Sequence, residues 1–60
     1  MQTSAQDKLQ KVLFIRGSVE GLLEIARGER FDMMMYLLEM VNEEAKALEL
    51  RLKEDIAKPD

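Results

Sequence analysis

Phe31, Met34, Leu38, Val41, Ala45, Leu48 and Leu52 follow one another in alternating steps of three and four. That is the a/d spacing of a heptad, and side chains that alternate every second residue, as in a strand, cannot use it. The spacing predicts a helix over about 31–57, roughly 40 Å long at the helical rise. The first half keeps the same rhythm through Ala5, Lys8, Val12, Ile15, Val19, Leu22 and Ala26, with Lys8 the one polar member. Leu9 and Leu23 at e, and Ile25 at g, widen this stripe. A stripe of that width suits a bundle helix with more than one neighbour. It predicts a first helix over about 5–27, roughly 35 Å long.

Arg27-Gly28-Glu29-Arg30 separates the two stripes. Gly28 is the residue expected to take the left-handed conformation that ends a helix, with Arg27 suited to the last turn. Ser4 is the expected N-cap, with Asp7 three residues on as its capping-box partner. Pro59 falls at the far end, where it damages no helix. Two helices of similar length and a turn over 28–30 make an antiparallel hairpin, and residues 1–60 read as one such domain.

A hairpin this small has difficulty standing alone. The chain has 60 residues and no cysteine or histidine, so disulfides and the common zinc sites add nothing to its stability. A domain of this size buries only about 60% of its unfolded surface. Met33, Met35, Tyr36, Leu37 and Met40 also make the turn-proximal part of the second helix apolar nearly all round. The simplest remedy is a second copy, two hairpins closing into a symmetric four-helix bundle. The expected fold is therefore all-α, a helix-turn-helix hairpin that homodimerises. No uncharged run approaches membrane length, and Asp7, Lys8 and Lys11 interrupt any signal-like start, so a cytoplasmic protein without a membrane partner is expected.

One competing reading uses Val12-Leu13-Phe14-Ile15 as a short strand, with Ser18 capping the next helix, as in a ribbon-helix-helix DNA binder. Its four consecutive apolar residues break the alternation that a groove-reading strand needs, and the helical period runs through it without a slip.

Catalysis has little to work with. Ser4 and Ser18 have no evident base, and the carboxylate pairs Glu20–Glu24 and Glu39–Glu43 fall at outward positions without the histidines of a di-iron bundle. No enzyme activity, cofactor or metal is expected. The methionines read in two ways: Met34 as core, and Met33 and Met40, both at c, as core or dimer flank, or else as an adaptable dock for a partner's helix. Tyr36 at f is expected to stay partly wet. Phe14, also at c, points about 100° away from the seam residue Ile15, with Gly17 and Gly21 outside the core near it. Residues 1–28 carry four basic and three acidic groups, and residues 29–60 carry five and nine. A nucleic acid would therefore meet the first helix rather than the second.

These features resemble the Rop (RNA one modulator) family of plasmid copy-number regulators. The likeness runs ungapped over nearly the whole chain. It lies in the length, the central turn, the register of both seams, and the strings Phe14-Ile15-Arg16 and Leu22-Leu23-Glu24, with Leu9, Asp32, Glu39, Ala45 and Leu48. The resemblance implies a homodimeric four-helix bundle that binds two complementary RNA stem-loops kissing through their loops. By stabilising antisense pairing it would lower plasmid replication. The family's binding face, on the first helix and its dimer mate, carries a lysine near the N-terminus, an amide, a phenylalanine, a second amide and a lysine near the helix end. Carried over, the ring is Phe14 and the first amide Gln10. Ser18 stands at the second amide position, and Thr3 and Ile25 stand where lysines are expected. Lys11, close to the Phe14 stripe, is the substitute cation. The implied RNA-binding residues are Phe14, Gln10, Lys11 and Ser18. The rival expectations are a small adaptor that docks a protein helix in the Met33/Met40 region, and a structural bundle without RNA binding.

Overall fold

The computed structural model describes residues 4–58; Thr3 and Pro59 lie outside them. Two helices, α1 (Ala5–Gly28) and α2 (Asp32–Ala57), pack against each other as a hairpin. The hairpin measures 48 × 19 × 16 Å. Residues 12–15 are helical, so the strand reading does not hold.

Ser4 caps α1. Its backbone is extended and its side-chain oxygen accepts a hydrogen bond from the Asp7 N–H at 3.1 Å, which satisfies one of the first-turn donors. The other end departs from expectation. Gly28 remains helical, and the left-handed residue is Arg30 (φ 59°). The Arg30 N–H donates to the Arg27 carbonyl at 3.2 Å, and the Phe31 N–H reaches back to the Ala26 carbonyl at 2.9 Å. Those two bonds form a Schellman closure around Arg30, the position where glycine is usually found. Ala26 and Phe31 both belong to the apolar stripe, and the bond between them sets where the chain reverses. The Met35 N–H then donates to the Phe31 carbonyl at 2.9 Å and begins the bonding of α2, whose N-cap, Phe31, has no side-chain cap bond.

The interior of the hairpin is built from a and e positions. Val12, Val19, Leu23 and Ala26 of α1 and Ala45, Glu49 and Leu52 of α2 are buried. Ala5, Leu9 and Leu48 pack around Val12, Ala45 and Leu52. Six of the fourteen expected seam residues are turned away. Lys8, Ile15, Leu22, Phe31, Met34 and Val41 are exposed, Met34 at 53%, so Met34 is not core within the hairpin. The physical reason is the width of the stripe. One neighbour covers only part of it, and the partner helix of the same chain takes the a/e half. On the d/g half, Ile15, Leu22, Ile25, Met34, Leu37 and Val41 are only partly covered by the chain itself and keep about half or more of their area in solvent.

Candidate nucleic-acid interface

Phe14 lies on the outer surface of α1 with 76% of its area in solvent. Nothing in the packing of the hairpin requires a ring there. Gln10 precedes it by four residues and Lys11 by three, so both are helical neighbours of the ring. With Asp7 and Ile15 these residues line one open cleft of about 480 Å³. Ser18, four residues beyond Phe14, is exposed on the same side but outside the cleft. A Cβ added at Gly17 or Gly21 would meet nothing within 4 Å, so the surface beside the ring is flat and open. The helix thus brings Gln10, Lys11 and Phe14 together and sets Ser18 beside them.

Two charged residues complete the electrostatics. Asp7, absent from the residues expected at this face, places a carboxylate in the cleft with Lys11. Its position four residues before Lys11, on the same helical row, is the signal that would have found it. Arg16 belongs to the Phe-Ile-Arg string, yet its guanidinium turns into the hairpin and donates through Nη1 to Oε1 of Glu49. Arg27 is tied to Glu24 at 2.8 Å. Lys8 and Lys11 are therefore the exposed cations of α1 without an ion pair among the described residues.

The inward ion pair holds the two helices in register beneath this face. Glu49 uses both oxygens, Oε2 accepting from Lys53 Nζ at 2.7 Å and Oε1 from Arg16. The Lys53 ammonium first, and the Arg16 guanidinium second, hold the Glu49 carboxyl below its ordinary range against the opposing effect of burial. Arg16 Nε is buried without a hydrogen-bond partner, as is Asn42 Oδ1. This network restrains Arg16 from swinging outward beside Phe14.

The carboxylate pairs Glu20–Glu24 and Glu39–Glu43 meet across the groove between the helices, interleaved with Arg27 and Lys46. Among the described residues no group of three or more acidic, histidine or cysteine side chains is placed to hold a metal ion. Met33 and Met40 lie outside the hairpin core, and Tyr36 is exposed. No described helix is long and apolar enough to cross a membrane. Compared with protein-family models, characterised proteins and solved structures, the chain matches none of them.

Proposed function

We propose that this chain is a Rop-like RNA-binding homodimer that stabilises kissing stem-loops of an antisense RNA and its target, and so lowers plasmid copy number. The observation that carries the reading is the outward Phe14 ring, flanked by Gln10 and Lys11 and by an open glycine strip.

The partly covered d/g half supplies the dimer. Ile15, Leu22, Ile25, Met34, Leu37 and Val41 are each about half exposed or more. Covering the rest of each side chain is worth on the order of 1 kcal/mol, and a self-complementary apolar face closes with twofold symmetry. Phe14 at c stays outside that seam, and Lys11 and Ser18 at g lie on its rim. With the two α1 helices side by side, two rings and two pairs of polar side chains share one surface.

Such a surface suits a loop–loop helix. A-form RNA hides its base edges in a deep groove and is recognised by shape, backbone and 2′-hydroxyls. Lys11 would neutralise phosphate, Gln10 and Ser18 would hydrogen-bond to phosphate or ribose, and Phe14 would pack on the exposed sugar-base surface. Binding the paired complex better than the separate loops shifts the pairing equilibrium by mass action, with no covalent step. The partners are then a second copy and the RNA pair, in the cytoplasm, and no cofactor takes part.

Gel-shift titration against two loop-complementary hairpins, singly and together, tests the reading. The expected result is a shift of the pair at concentrations that leave single hairpins free. Phe14→Ala should remove that shift while leaving helical circular dichroism and oligomer mass unchanged. Equal affinity for single and paired hairpins at low salt defeats the reading.

A further inference from the structure

The outer side of α2 near the turn is unexplained by hairpin, dimer or RNA. Met33, Tyr36 and Met40 are 68%, 58% and 53% exposed. They occupy c and f positions, outside both the a/e half that meets α1 and the d/g half assigned to a second copy. Their spacing of three and four residues makes a continuous apolar stripe along one helix. Tyr36 and Met40 line an open cleft of about 580 Å³ whose other walls are Glu39, Glu43 and Glu44. Glu39 has no ion pair among the described residues, while Glu43 and Glu44 have only exposed ones, with Lys46 at 3.5 Å and Arg51 at 3.4 Å. Exposed pairs of this kind contribute little and exchange readily.

We propose that this face docks a cationic amphipathic helix from a partner protein. Methionine supplies a flexible surface that adapts to apolar side chains, and tyrosine adds a rigid ring with a polar tip. Three carboxylates beside the stripe select the charge of the occupant. RNA and anionic lipid would both be repelled by them. A second copy laid on this face would bring two sets of Glu39, Glu43 and Glu44 into one interface, six carboxylates with no added cation to offset them. A helix with apolar residues at i, i+3 or i+4, and i+7, and with lysine or arginine on its flanks, satisfies both the stripe and the rim.

The test uses the full chain and a synthetic helical peptide of leucine and lysine with leucines on one face, followed by fluorescence anisotropy. Two controls accompany it: the same residues with leucines scattered round the helix, and a leucine–glutamate version. The one-faced cationic peptide is expected to bind best, and less tightly as salt rises. Tyr36→Ser with Met40→Ser should weaken it by about tenfold or more, as expected for anchor residues, with circular dichroism unchanged. Glu39→Gln, Glu43→Gln and Glu44→Gln together should flatten the salt dependence. Phe14→Ala, which removes RNA binding on the reading above, should bind the peptide like the parent chain, so the two readings fail separately. Equal binding of the scattered peptide, or unchanged affinity in the Tyr36/Met40 variant, overturns the proposal. So does an assembly larger than a dimer that this variant returns to a dimer, because the occupant is then another copy.

Discussion

The guanidinium of Arg16 and the carboxylate of Glu49 face each other across the hairpin, in the same inward rows as Leu9, Leu23 and Met35. Lys53 joins them from the next turn of α2, and Arg16 Nε is left without a partner. The pair is partly buried, with Glu49 the more enclosed member, so removing one partner leaves the other poorly satisfied, while replacing both with apolar side chains is often neutral or better. Arg16→Leu and Glu49→Leu singly should each lower the melting temperature, with Arg16→Leu the milder because Lys53 still satisfies Glu49. The double variant should recover most or all of the loss.

The same pair gives the hairpin an acid sensitivity. The folded pKa of Glu49 lies below its ordinary value of 4.5. Its contribution to stability is therefore complete above that value and is lost as pH falls through the folded pKa. Denaturation midpoints of the parent chain should fall between neutral pH and about pH 3 more steeply than those of Glu49→Gln. Parallel curves for the two proteins would place the acid sensitivity elsewhere.

Arg30 holds a positive φ of 59° at the Schellman position. An L side chain there costs on the order of 1 kcal/mol, which glycine does not incur. Arg30→Gly should raise the stability by about that amount, and Arg30→Val should lower it, because a β-branched residue fits left-handed backbone worse. Urea denaturation with an unchanged m-value measures both.

Gly17 and Gly21 have free space where a Cβ would stand. Alanine at either should therefore stabilise α1 by up to about 1 kcal/mol in thermal unfolding. If the flat strip lets RNA approach, the double alanine variant gains stability and loses affinity for the kissing pair. A gain in stability with unchanged affinity would mean that the glycines play no part in binding.

Asp7 shares the Phe14 cleft with Lys11. A carboxylate opposes phosphate and a lysine releases counterions, so the two neighbours should act with opposite sign. Asp7→Asn should tighten RNA binding a few-fold. Lys11→Gln should weaken it and reduce the salt slope by about one unit for each phosphate that the lysine had neutralised.

The helical hairpin was legible because its signal is periodic. The three-and-four spacing marks both helices, and Ser4 marks the start of α1. The outward Phe14 follows from the same angular arithmetic, since a residue at c cannot turn into an a/e interior. Other features depend on relationships that a stripe does not encode. A broad stripe does not say which half meets the other helix of the same chain, so Ile15, Leu22 and Met34 read as interior while the hairpin buries Val12, Val19 and Leu23 with e-row partners. Glycine tolerates left-handed backbone, which makes Gly28 the natural choice for the turn, but the bond from Phe31 to Ala26 puts that conformation at Arg30. The Arg16–Glu49 pair was hidden because charged residues at e usually read as surface. A cation and an anion in the two inward rows, each between apolar neighbours, were the available clue.

Native mass spectrometry of the chain mixed with a preformed kissing pair tests directly whether two copies together present the Phe14 surface to one paired RNA. A dominant species of two chains bound to one RNA pair is expected, absent when Phe14→Ala replaces the parent chain although its free dimer remains. A single chain bound to the RNA pair, or dimeric protein beside wholly unbound RNA, would contradict that expectation.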